Sequence, residues 1–79
     1  MSTRSEMAEE IAARVKQMMK IQQNIGLDED LQAMGFNSMD LMTLAIDLED
    51  HYKLDFIPEE LLFKNFATIR KIVNLVESK

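Results

Sequence analysis

Two glycines and one proline are all that punctuate 79 residues. Both residue types interrupt regular backbone, so a chain this poor in them keeps long unbroken segments. Within those segments apolar side chains recur every three or four positions, the spacing that gathers them on one face of a helix. An all-α fold follows. The length allows a single small domain, residues 1–79, with residues 1–5 expected to fray. A chain this short buries only about 60–65% of its extended surface and carries a stability of roughly 5 kcal/mol, which leaves little room for an internal active site.

The spacing predicts a first helix from Ser5 to Gln22, with Met7, Ile11, Val15, Met18 and Gln22 on one face and Met19 and Ile21 widening it. Methionine suits such a face because its flexible thioether fills irregular gaps. From Gln23 to Asn37 the periodicity lapses. Ile25, Leu27, Leu31, Met34 and Phe36 are too many apolar groups for a free loop, so a long connection is expected to pack onto the bundle. Gly26 is its candidate turn residue, with a short turn at 28–33. Asp28-Glu29-Asp30 does not open a calcium loop, since Ala33 stands where the required glycine would fall and Met39 where the closing glutamate would. A solvated acidic turn is expected instead.

A second helix is predicted from Ser38 to His51 or Tyr52. Asn37 fits its N-cap, and Asp40 stands where a carboxylate can reach back in a variant capping box. At about 100° per residue, Leu41, Leu44, Ala45, Leu48 and Tyr52 share a core face. Met39, Met42 and Ile46 fall nearly opposite, framed by Asp40, Asp47, Glu49 and Asp50. A helix with two apolar faces is either wedged between two packing layers or presents one face to a partner. Its four acids favour the second, so Met39, Met42 and Ile46 are expected to be exposed. Lys53 to Ile57 form a short connection. Pro58 opens a short third helix through Glu59-Glu60-Leu61-Leu62, ended by Asn65-Phe66. Phe63 and Phe66 anchor it, and Thr68 caps a last helix whose core stripe is Ile69, Ile72, Val73 and Val76.

Charge narrows the partners. The net charge is −5, but residues 23–62 hold ten acids and one base, a local charge of −9. Such a segment repels nucleic acid and anionic membrane surfaces and attracts basic protein surfaces. The charged N-terminal segment argues against a signal peptide, and no stretch approaches the ~20 apolar residues of a membrane span. A cytoplasmic monomer is expected. With no cysteine, disulfides, thiolate metal sites and a cysteine nucleophile are excluded. The one histidine, His51, lies ~20 Å along the second helix from Ser38, at a rise of 1.5 Å per residue. No serine–histidine pair follows, and histidine-based metal sites lack ligands; no metal is expected. What remains is Ser38, held at the positive end of a helix. An ester-linked phosphate is electrostatically favoured there, so Ser38 is a better attachment point for a phosphate-containing group than a nucleophile.

Gly35-Phe36-Asn37-Ser38-Met39-Asp40, followed by Leu41, Leu44, Leu48-Glu49 and Tyr52, resembles the phosphopantetheine attachment region of acyl carrier proteins and peptidyl carrier domains. Their pattern is Gly-x-Asp-Ser-Leu, then a helix ending in Leu-Glu-x-x-Phe. Ile57-Pro58-Glu59-Glu60 is similar to the region before their third helix, and Asn65-Phe66-Ala67-Thr68-Ile69 to the start of their last. The resemblance implies a four-helix bundle of acyl-carrier type, with a long first loop and a short third helix. It implies phosphopantetheine on Ser38 and cargo as a thioester on the arm's terminal thiol. It also implies docking of basic partner enzymes on the second helix, where Met39, Met42, Ile46, Glu49 and Asp50 match recognition positions.

Asn37 replaces the usual aspartate, Met39 the usual leucine, and Thr43 sits where an acid is common. These departures suit a carrier in a dedicated pathway better than a general fatty-acid carrier. The expected protein is therefore a stand-alone acyl or aminoacyl carrier in fatty-acid, polyketide or non-ribosomal peptide biosynthesis, and not an enzyme. Its partners are a phosphopantetheinyl transferase and the enzymes that load and process its cargo. The alternative is a small helical interaction module in which Ser38 is only a helix cap.

Overall fold

Helix α1 spans Thr3–Met19 in the computed structural model, which describes residues 3–79. A 3-10 turn at Gln32–Met34 follows, then α2 (Ser38–Tyr52), a second 3-10 turn (Pro58–Glu60), α3 (Phe63–Phe66) and α4 (Ile69–Glu77). The described residues thus form the expected all-α arrangement of four helices with a long first loop. None of these helices is long and apolar enough to cross a membrane.

The core collects the predicted stripes. Ile11 and Val15 of α1, Leu41, Leu44, Ala45 and Leu48 of α2, and Ile69, Ile72, Val73 and Val76 of α4 are all buried. Phe66 of α3 is fully buried and meets Phe56 edge-to-face at 5.9 Å, while Phe63 meets Phe36 the same way at 6.4 Å. Phe36 precedes α2 and Phe56 follows it, so these two ring pairs fasten the short α3 to both flanks of α2. Edge-to-face pairs add about 0.5–1.5 kcal/mol each beyond their buried area, which helps explain how a four-residue helix holds its place.

The first loop packs down through Ile25, Leu31, Met34 and Phe36, whereas Leu27, also expected to pack, stays 42% exposed. Leu31 is fully buried; its N–H donates to the Ala67 carbonyl at 2.9 Å. The Leu27 carbonyl accepts the Arg70 N–H at 3.0 Å, satisfying a first-turn donor of α4 that has no partner within its own helix. The Arg70 guanidinium grips the Asp28 carboxylate with two bonds, of 2.7 and 3.1 Å. Glu29 accepts the Gly26 N–H, and Asp30 accepts the N–H groups of Gln32 and Ala33. Each acid of the Asp28-Glu29-Asp30 run therefore has its own task in holding the loop.

Three boundaries differ from the sequence reading. Helix α1 begins at Thr3 rather than Ser5, and Arg4 bonds Glu77 and Asn74 of α4. Residues 1–2 lie outside the described residues. The helix also ends at Met19 rather than Gln22. Lys20 turns left-handed at φ 57°, its N–H meeting the Gln17 carbonyl and the Ile21 N–H that of Lys16. That pair of bonds is the Schellman ending, which favours glycine, and the lysine hid it. Helix α2 also ends on a left-handed lysine, Lys53 at φ 56°, but there the N–H groups of Lys53 and Leu54 both meet the Glu49 carbonyl. The single short helix expected after Pro58 is two pieces, since the Asn65 amide bonds the Glu60 carbonyl and Leu62 is extended before α3 begins.

Candidate functional site

Gly35 starts the site. At φ 106° it adopts a left-handed conformation open mainly to glycine, and its N–H closes the 3-10 turn onto the Gln32 carbonyl. That reversal drives Phe36 into the core, only 2% exposed, and brings Asn37 out extended at the head of α2. The predicted capping box is present in both directions. The Asn37 side-chain oxygen accepts the Asp40 N–H at 2.9 Å, and the Asp40 carboxylate accepts the Asn37 N–H at 3.1 Å. The box uses first-turn donors at Asn37 and Asp40 and leaves those of Ser38 and Met39 beside the exposed Ser38 hydroxyl.

This geometry suits a phosphate ester. The hydroxyl belongs to the first residue of a 15-residue helix, at the end that carries about half a positive charge. The backbone N–H groups of Ser38 and Met39 would face the phosphate oxygens, and Asn37 and Asp40 would fix the turn that presents them. When bound, phosphopantetheine supplies the thiol on which a carried group is held as a thioester.

The opposite face of α2 is open. Met39 is 78% exposed, Ile46 62% and Met42 46%. The four acids assigned beside them are placed differently from one another. Asp40 caps the helix. Asp47 turns toward α1 and bonds Arg14 at 2.6 Å. The Glu49 carboxylate accepts the Phe56 N–H at 2.8 Å and so holds the connection after α2. Asp50 is exposed. Ile57 and Leu62, which the sequence reading did not single out as exposed, are also 53% and 44% exposed. Both lie in short connections with no periodicity to assign them a face.

His51 takes no part at Ser38. It joins a seam between α1 and α2, where Arg14 bonds its Nδ1 at 2.8 Å and Glu10 lies 3.4 Å from its Nε2. The Tyr52 hydroxyl donates to Glu10 at 2.6 Å. Burial and the Glu10 carboxylate push the Tyr52 phenol well above its ordinary value, and the Tyr52 and His51 contacts hold Glu10 below the usual carboxylate range. The seam binds two helices together and brings no base to the serine.

An exposed serine at a capped helix start, on an acidic four-helix chain, is the arrangement expected of a carrier of a covalently attached phosphate-linked arm. The chain matches the family described as the phosphopantetheine attachment site over residues 9–76, and it belongs to that family. The family's domain is the site of covalent phosphopantetheine attachment, and such domains are generally non-catalytic and work with transferases and biosynthetic enzymes. No curated protein and no solved structure matches the chain.

Proposed function

We infer that Ser38 is the residue esterified, and that the protein holds acyl or aminoacyl intermediates as thioesters for the enzymes of a dedicated cytoplasmic pathway, of fatty-acid, polyketide or non-ribosomal peptide type. The observation that carries this reading is the exposed Ser38 hydroxyl at the head of a helix whose capping box is complete. In this reading Ser38 serves for attachment rather than as a nucleophile: the nearby Asp40 carboxylate is held in the capping box, and the sole histidine is engaged at the other end of α2.

Partner enzymes meet the face of Met39, Met42 and Ile46. Apolar contact there supplies most affinity, and the acidic surroundings set orientation and on-rate. Asp50 is the cleanest acidic probe of that face, since Asp47 and Glu49 also hold the fold through Arg14 and the Phe56 N–H. Ile46→Ala weakens docking at every salt concentration, whereas Asp50→Lys weakens it chiefly at low ionic strength, because exposed charges are damped beyond ~8 Å at physiological salt.

The test is intact mass after co-expression with a broad-specificity phosphopantetheinyl transferase. A carrier gains one arm. A protein that gains nothing is instead a helical interaction module using the same exposed stripe, with Ser38 as a cap.

A further inference from the structure

The open face of α2 carries two thioethers. Met39 and Met42 are 78% and 46% exposed and stand three residues apart, on one side of the helix. Met7, Met18, Met19 and Met34 instead pack partly buried against the core. The chain has no cysteine, so thioethers are the only sulfur that an oxidant meets in the protein before its arm is attached. Hydrogen peroxide attacks a thioether by transferring one oxygen to sulfur. The O–O bond breaks, the other oxygen leaves as water, and sulfur loses the two electrons that peroxide gains. The product sulfoxide is polar. A side chain that filled an apolar pocket on a partner then carries an unsatisfied dipole into it.

We propose that Met39 and Met42 form a reversible oxidation site that gates docking at the Ser38 end of α2. Peroxide closes this face to partner enzymes, and methionine sulfoxide reductases reopen it. The proposal rests on reading the exposed stripe as the partner face. Met39 adjoins Ser38 in the chain, so the transferase that modifies Ser38 is the first partner affected. The bundle itself tolerates the change, because neither side chain belongs to the core.

The experiment treats the arm-free protein with graded hydrogen peroxide and maps the oxidised peptides. The protein is then offered to a broad-specificity phosphopantetheinyl transferase with coenzyme A. Sulfoxide is expected at Met39 and Met42 before the four core-packed methionines, with the thermal midpoint unchanged. The transferase's kcat/KM falls about tenfold, as expected when polar groups enter an apolar contact without partners. Reduction by the two stereospecific sulfoxide reductases restores it. A Met39→Leu, Met42→Leu protein keeps the face apolar, and its kcat/KM after the same treatment equals that variant's own untreated value. Oxidation of the core-packed methionines first overturns the proposal. So does a rate within about twofold of untreated protein once both sulfoxides have formed, or equal inhibition of the leucine variant. Untreated protein that accepts no arm overturns the carrier reading, and this proposal with it.

Discussion

Replacing Asn37 by alanine removes one half of the capping box and leaves the other. The Asp40 N–H loses the oxygen that accepts it at 2.9 Å, while the Asp40 carboxylate can still hold the backbone N–H at position 37. An N-cap replaced by alanine costs about 1 kcal/mol, within a range of 0.5–2. For a domain this size that lowers the thermal midpoint by about 4–8 °C. The effect is local, so the first turn of α2 frays before the core opens. The transferase should therefore act more slowly on Ser38 even at temperatures where the protein is folded. Asn37→Asp preserves the acceptor and should leave stability within about 0.5 kcal/mol of the original. It should also speed modification at low salt if the missing charge is what a basic transferase lacks. Urea denaturation of the three proteins, with parallel modification rates, checks both statements. If Asn37→Ala loses less than about 0.3 kcal/mol, smaller than any cap in that range, the box does not hold the serine in place and the reasoning fails.

Leu44→Ala and Ile46→Ala differ by two residues and should differ sharply in stability. Leu44 is fully buried, so its truncation costs about 2–5 kcal/mol. Ile46 is 62% exposed, and its truncation should stay within about 0.5 kcal/mol by the same denaturation assay. Lys20→Gly and Lys53→Gly relieve left-handed lysines at φ 57° and 56°. Each should raise stability by about 0.5–1 kcal/mol, the strain relieved less the added freedom of the unfolded chain. Acid sensitivity follows from carboxylates held below their ordinary values: Glu10 by Tyr52 and His51, Asp28 by Arg70, and Glu60 by Lys79 and the Ile57 N–H. The unfolded chain binds protons more readily at these groups, so their contribution is complete above their ordinary values of 4.5 and 3.8 and is lost as pH falls below them. Tyr52, shifted upward, contributes fully below its ordinary value of 10.0 and loses that contribution as pH rises beyond it. In a pH series of denaturation midpoints, Tyr52→Phe should remove the alkaline loss and weaken the acid-side contribution of Glu10.

Helix faces were legible in the sequence because burial follows the 3.6-residue period. The α2 core of Leu41, Leu44, Ala45 and Leu48, and the exposed Met39, Met42 and Ile46 opposite, both fall where the spacing puts them. The capping box was legible because Asn and Asp stand three residues apart at the head of an apolar-periodic run. Helix ends were less so. Lysine at a position that usually takes glycine gives no stop signal, and Lys20 ends α1 three residues before the expected boundary. Beyond Asp40, the destinations of two α2 acids were not legible either. Asp47 is drawn to Arg14, 33 residues away, and Glu49 to a backbone N–H beyond the helix end. Both bonds depend on how α1 and the following connection pack, which local spacing does not encode. The loop's hold on α4, through Leu27, Asp28 and Arg70, is hidden for the same reason.

The measurement that bears most directly on the account is peptide mapping of protein modified by the transferase, run beside a Ser38→Ala variant. Ser38 is the only serine between Ser5 and Ser78, so a single peptide carries the answer. The account predicts one phosphopantetheine on Ser38. It also predicts a variant that stays folded, because Asn37 still accepts the Asp40 N–H, and that takes no arm. An arm on any other residue, or a folded Ser38→Ala protein that is still modified, contradicts it.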